Sequence, residues 1–119
     1  MSHKVSMKVK MEDRDCLKTV CERLGVSYQE GKHSVRFYSQ TVNTEFSFQL
    51  EGWKYPCALT EEGVEFDNYN GSWGKPQQLH KFNQEYCKEV AEQELNAQGM
   101  YLQETEVEAD GSLTLIYEG

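Results

Sequence analysis

No stretch of eighteen apolar residues occurs in this sequence, and its first thirty residues carry charge throughout. Neither a membrane-spanning helix nor a secretory leader is expected, and the expectation that follows is a cytoplasmic protein. The four cysteines, Cys16, Cys21, Cys57 and Cys87, form no Cys-x-x-Cys pair. None of the three histidines stands at a metal-ligand interval from a cysteine. Free thiols, no structural zinc and no disulfide framework are therefore expected. A Walker-type or dinucleotide-type glycine loop is missing as well, as is any serine or cysteine nucleophile motif. No cofactor is expected on those grounds.

Positive charge is also scarce. Twelve lysines and arginines face twenty acidic residues, for a net charge of −8. A chain that binds nucleic acid nonspecifically needs a cationic surplus to displace counterions from phosphates, so nucleic acid is not an expected partner. The charge is unevenly spread. Residues 1–40 hold eight basic and five acidic groups, whereas residues 41–119 hold four basic and fifteen acidic ones.

What is present describes one domain of 119 residues, globular at the polar end of the range, with 38% apolar and 27% charged residues. Val5, Met7, Val9 and Met11 alternate with Lys4, Ser6, Lys8 and Lys10, a period of two that predicts a half-buried strand. Asp13 or Glu12 then stands where a helix N-cap belongs, and Leu17, Val20, Cys21 and Leu24 make one apolar stripe closed by Gly25. Strands are expected at Ser34–Gln40 and Glu45–Leu50 with a turn over Thr41–Thr44, then at Trp53–Leu59 and Val64–Tyr69 around Glu61-Glu62-Gly63. A loop follows from Asn68 to Gly74. Pro76 fits the first turn of a second helix, which runs to about Ala97 with Leu79, Phe82, Tyr86 and Val90 on one stripe and Glu85, Glu89, Glu92 and Glu94 outside. A hairpin of Met100–Glu108 and Ser112–Glu118 closes at Asp110-Gly111. The order β-α-β-β-β-β-α-β-β predicts an α+β fold, with an antiparallel sheet that packs both helices on one face.

Several of these residues carry a resemblance. The Met1-Ser2-His3 start, the helix ending Leu24-Gly25, Arg36 with Gln40-Thr41, Tyr55, Trp73-Gly74, the Tyr86 helix, Gln98-Gly99 and Asp110-Gly111 follow one another in order. Together they resemble the family called domain of unknown function 1257, that of the hypothetical chloroplast open reading frame 35. The resemblance implies kinship with proteins of plastids, bacteria and bacteriophages. No established activity comes with it. Ser72 stands where that family usually shows a second tryptophan, and Pro56-Cys57-Ala58-Leu59 departs from its usual pattern.

The candidate site is built on Trp73, an aromatic residue in a glycine-containing loop. With Tyr38 beside it and Arg36 as a cation, it forms the expected ligand-binding group, suited to a nucleotide held by stacking and one guanidinium. Tyr55, Tyr69 and Trp53 are expected nearby. The function read from this is a small binding or interaction protein that is not an enzyme. It is expected to self-associate through its open sheet face or edge, with lysines 4, 8 and 10 of one copy meeting glutamates of the second helix and terminal hairpin of another. A rival is an oligomeric protein that sequesters a nucleotide signal, and a third is an enzyme using His80 and Glu85.

Overall fold

The first helix begins because Asp13 caps it: its carboxylate accepts the Cys16 backbone N–H at 3.1 Å, satisfying a donor that the helix itself leaves open. It ends at Gly25, whose φ of 71° is the left-handed conformation that the helix exit demands. The computed structural model describes residues 2–7, 10–107 and 113–118. Its elements are β1 (Ser2–Met7), α1 (Arg14–Leu24), β2 (Ser27–Arg36), β3 (Thr41–Gln49), β4 (Cys57–Thr60) and β5 (Gly63–Glu65). A 3₁₀ turn (Tyr69–Gly71), α2 (Pro76–Ala97), β6 (Tyr101–Val107) and β7 (Leu113–Glu118) follow. This is an α+β fold in the expected order.

The chain forms two compact units. One comprises Met1–Lys10 and Gln84–Gly119, the other Met11–Asn83. In the first, β1, β7 and β6 lie side by side in that order, all antiparallel, with Val5 opposite Leu115 and Glu104 opposite Ile116. One residue, Gln103, is extra on β6, and its amide donates to the Glu118 carboxylate. In the second, β2-β3-β4-β5 form an antiparallel sheet, with short turns between β2 and β3 and between β4 and β5 and a longer loop over residues 50–56 between β3 and β4. The single sheet expected from sequence is thus two sheets among the described residues. Alternation specifies which face of a strand is buried, and leaves open which strand lies beside it.

Within the second unit, Phe46, Phe48, Cys57, Leu17, Val20, Cys16 and Cys21 are buried. Phe48 lies opposite Cys57 in the β3–β4 register. The Phe82 ring stacks on Phe48 with centroids 4.4 Å apart, and the Cys57 thiol is close enough to Cys21 to feel its charge. Cys21 of α1 and Phe82, in the part of α2 that belongs to this unit, therefore meet the sheet on its Phe48–Cys57 side. A second cluster buries Val35, Phe37 and Ala58, with Val42 and Tyr55 packed against it.

Local expectations needed correction. The segment Thr41–Thr44 is strand, paired as Val42 with Val35, and the turn is Phe37–Gln40, closed by the Phe37 N–H on the Gln40 carbonyl at 2.8 Å. Three β-branched residues, Thr41, Val42 and Thr44, outweigh the single asparagine there. Strand β1 ends at Met7, so Lys10 and Met11 lie outside it, and Lys8 and Val9 fall outside the described residues, as does the Asp110-Gly111 turn. Residues 53–56 are loop and only Cys57–Thr60 pairs. Leu24, expected in the core, is 38% exposed in the last turn of α1. Glu89, expected on the outer face of α2, is buried and accepts from the Gln93 amide at 3.3 Å.

Candidate functional site

Trp73 is fixed from both sides of the chain. Its N–H donates to the Asn68 carbonyl at 2.9 Å and its own carbonyl accepts the Lys54 N–H at 2.8 Å, tying the 68–76 loop to the segment before β4. Gly74 follows because nothing larger fits: an added Cβ would stand 2.3 Å from the buried Trp53 ring. The Gly71 N–H also reaches the Asn68 carbonyl, and the Ser72 N–H reaches that of Tyr69, both at 3.0 Å.

These bonds hold unusual backbone. Tyr69 and Asn70 have φ of 45° and 53°. Asparagine tolerates the left-handed region, but tyrosine pays for it, at about 1–3 kcal/mol for a strained residue. The conformation turns the Tyr69 ring onto Trp73, stacked at 4.8 Å and 24° from parallel.

Two further tyrosines complete the group. Tyr38, in the β2–β3 turn, lies tilted against Trp73 at 5.3 Å, and its N–H donates to the Asp67 carboxylate at 3.1 Å. Tyr55 meets the indole edge-on at 5.7 Å. The Lys54 ammonium sits 4.5 Å from the Trp73 ring centre and 5.5 Å from that of Tyr55, within range of a cation–π attraction. Tyr38 and Tyr69 remain 68% and 63% exposed, while Trp73 and Tyr55 are half-buried. The result is a solvent-facing sheet of rings, held by packing on an indole.

Of the residues singled out from sequence, Tyr38 and Trp73 are in direct contact, and Tyr55 and Tyr69 join them. Trp53 lies beneath, against Gly74. Arg36 is exposed at the end of β2 opposite Thr41, and among the described residues the cation over the Trp73 ring is Lys54, not Arg36. Sequence reasoning passed over Lys54. Its position two residues before Pro56, next to a tyrosine, was the only hint.

His80 is exposed on α2 and lines a small cleft with Phe66, Pro76, Leu79 and Asn83. Glu85 is half-buried further along the same helix. His33 lies in β2, with its Nδ1 2.5 Å from the Gly31 carbonyl and its Nε2 2.6 Å from the Ser47 hydroxyl.

All four cysteines are buried and free. Burial pushes the thiols of Cys57 and Cys21 up to about 12, helped by Cys21 for the former and Glu22 for the latter. Burial raises Cys87 too. Among the described residues no three metal-binding side chains converge, and no helix is long and apolar enough to cross a membrane.

By fold and surface this is an α+β protein with an exposed aromatic platform. Comparison with known proteins finds no matching family, no matching curated protein and no matching solved structure.

Proposed function

We propose that this chain is a binding protein whose contact surface is the Tyr38–Tyr69–Trp73 platform and whose partner is a protein segment. The observation that carries the reading is the exposure of Tyr38 and Tyr69, 68% and 63%, while both rings are held in place against one indole. Pre-positioned tyrosines offer large contact area with little side-chain entropy left to lose, which is why they recur at the energetic centres of interfaces. Backbone strain at Tyr69 supports the same reading, because strain is retained where a presented side chain needs it. A cytoplasmic setting, self-association and kinship with the domain of unknown function 1257 family belong to this proposal.

Selection from a displayed random peptide library tests it. Binders of the parent are expected to carry an aromatic or arginine anchor and to lose at least tenfold in affinity when Tyr38 and Tyr69 are both alanine. Binders that hold the double variant equally well would place the contact surface elsewhere.

A second reading is favoured by Lys54, which supplies a cation inside the ring group. A nucleotide could stack on an exposed tyrosine with its phosphate near that ammonium. Calorimetric titration with ADP separates the two readings, since micromolar binding abolished by Lys54→Gln is expected only of the nucleotide one.

A further inference from the structure

One concavity of the second unit lies apart from the aromatic platform and shares none of its residues. It is a groove of about 880 Å³ on the β2–β3–β4 region, beside the start of α1, within the range of about 300–1,000 Å³ that small-molecule sites occupy. Both charge signs line it: Arg14 and Lys32, with Glu12, Glu45 and Glu61, around an apolar patch at Leu59.

Two observations set the groove apart from an ordinary polar surface. Among the described residues Arg14, Lys32, Glu45 and Glu61 make no side-chain ion pair or hydrogen bond, although opposite charges border one space. Elsewhere on the same unit an available pair does close, Lys18 on Glu30 at 3.4 Å. The second observation is the β-bulge. Glu30 pairs with Phe46 and His33 with Thr44, so Gly31 and Lys32 together oppose Glu45 alone. A bulge re-aims side chains, and such bulges are enriched beside functional sites. Here it falls at the groove wall and places both Lys32 and His33 on the lining, with His33 locked by its bonds to Gly31 and Ser47.

From the unpaired charges of both signs and the bulge between them, we infer that the groove is a binding site for a small zwitterion of the amino-acid or short-peptide class. The carboxylate would meet Arg14 and Lys32, whose cationic donors suit it. The ammonium would meet Glu45 and Glu61, and the aliphatic part would lie on Leu59. A pure polyanion would face the three glutamates, and a polyamine would face the two cations, so neither complements the lining.

Trialanine, N-acetyl-trialanine and trialanine amide provide the test, titrated calorimetrically at low salt beside a panel of free amino acids. The amide lacks the carboxylate and the acetylated form lacks the ammonium. A zwitterion from the peptide or the panel is expected to bind, with at least a tenfold loss for each blocked form of the peptide and a weakening in high salt. Lys32→Glu should remove that binding with the melting temperature unchanged, because Lys32 is exposed. Tyr38→Ala should leave it intact, which separates this site from the platform. Absence of binding across peptide and panel, equal binding of the blocked forms, or full binding by Lys32→Glu would each overturn the inference.

Discussion

The Tyr69 ring lies on the Trp73 indole at 4.8 Å, and Tyr69 holds that position with a φ of 45°. The loop therefore stores backbone strain and offsets it with ring packing and three short-range carbonyl bonds. Trp73 acts as the support of the platform. The exposed area belongs to the tyrosines.

That division predicts unequal mutants. Trp73→Ala removes the contact surface of three tyrosines and Lys54 at once, and should cost about 2–3 kcal/mol, below the range of about 3–5 for a fully buried tryptophan. Tyr69→Ala removes one exposed ring and its stacking, and should cost no more than about 1 kcal/mol. Urea denaturation of both variants checks the order, and equal costs would contradict it.

Gly74→Ala should be more damaging than its single methyl suggests. The new Cβ would meet the Trp53 ring at 2.3 to 2.7 Å, and Trp53 is buried, so ring and loop must separate. Overpacking of this kind costs about 3 kcal/mol. A melting temperature within a degree or two of the parent would show that the loop yields freely.

Truncating Phe82 tests the helix side of the second unit's core. Phe82 is buried and stacked on Phe48 at 4.4 Å, so Phe82→Ala should cost about 3–5 kcal/mol. Thermal unfolding followed by far-ultraviolet circular dichroism measures it.

The buried thiols give the stability an alkaline limit. Cys21 and Cys57 are raised from an ordinary value of 9.0 to about 12 in the folded chain. Above pH 9 the unfolded chain sheds protons that the folded chain keeps, so the unfolded state is favoured as pH rises. The thiol contribution is complete below pH 9 and is lost progressively towards pH 12. Urea unfolding at pH 8, 9 and 10 should show that fall, and a Cys21→Ala/Cys57→Ala variant should show less of it. Native protein at pH 8 should react slowly with a thiol reagent, and unfolded protein should yield four thiols.

The sequence made the helices most legible. Asp13, Gly25 and Pro76 are local signals whose effect needs no distant partner: α1 begins after Asp13 and ends at Gly25, and α2 begins at Pro76. Sheet partnership was not legible, because β1 pairs with β7 from the far end of the chain and alternation carries no address. The turn at Phe37–Gln40 was missed because Val42 and Val35 pair across it, a choice made by strand packing over local composition. Tyr38 and Trp73 could be linked from their types alone. Lys54 could not, since its place at the indole depends on the Lys54–Trp73 backbone bond.

The chain has two tryptophans, one buried at Trp53 and one at the platform. Each gives its own indole N–H signal in a ¹H–¹⁵N correlation spectrum, assignable with Trp73→Phe. Titration with the tightest library-selected peptide should move the Trp73 signal in a saturable way and leave that of Trp53 nearly in place. A bound peptide that leaves the Trp73 signal unmoved would contradict the assignment of this surface as the binding site.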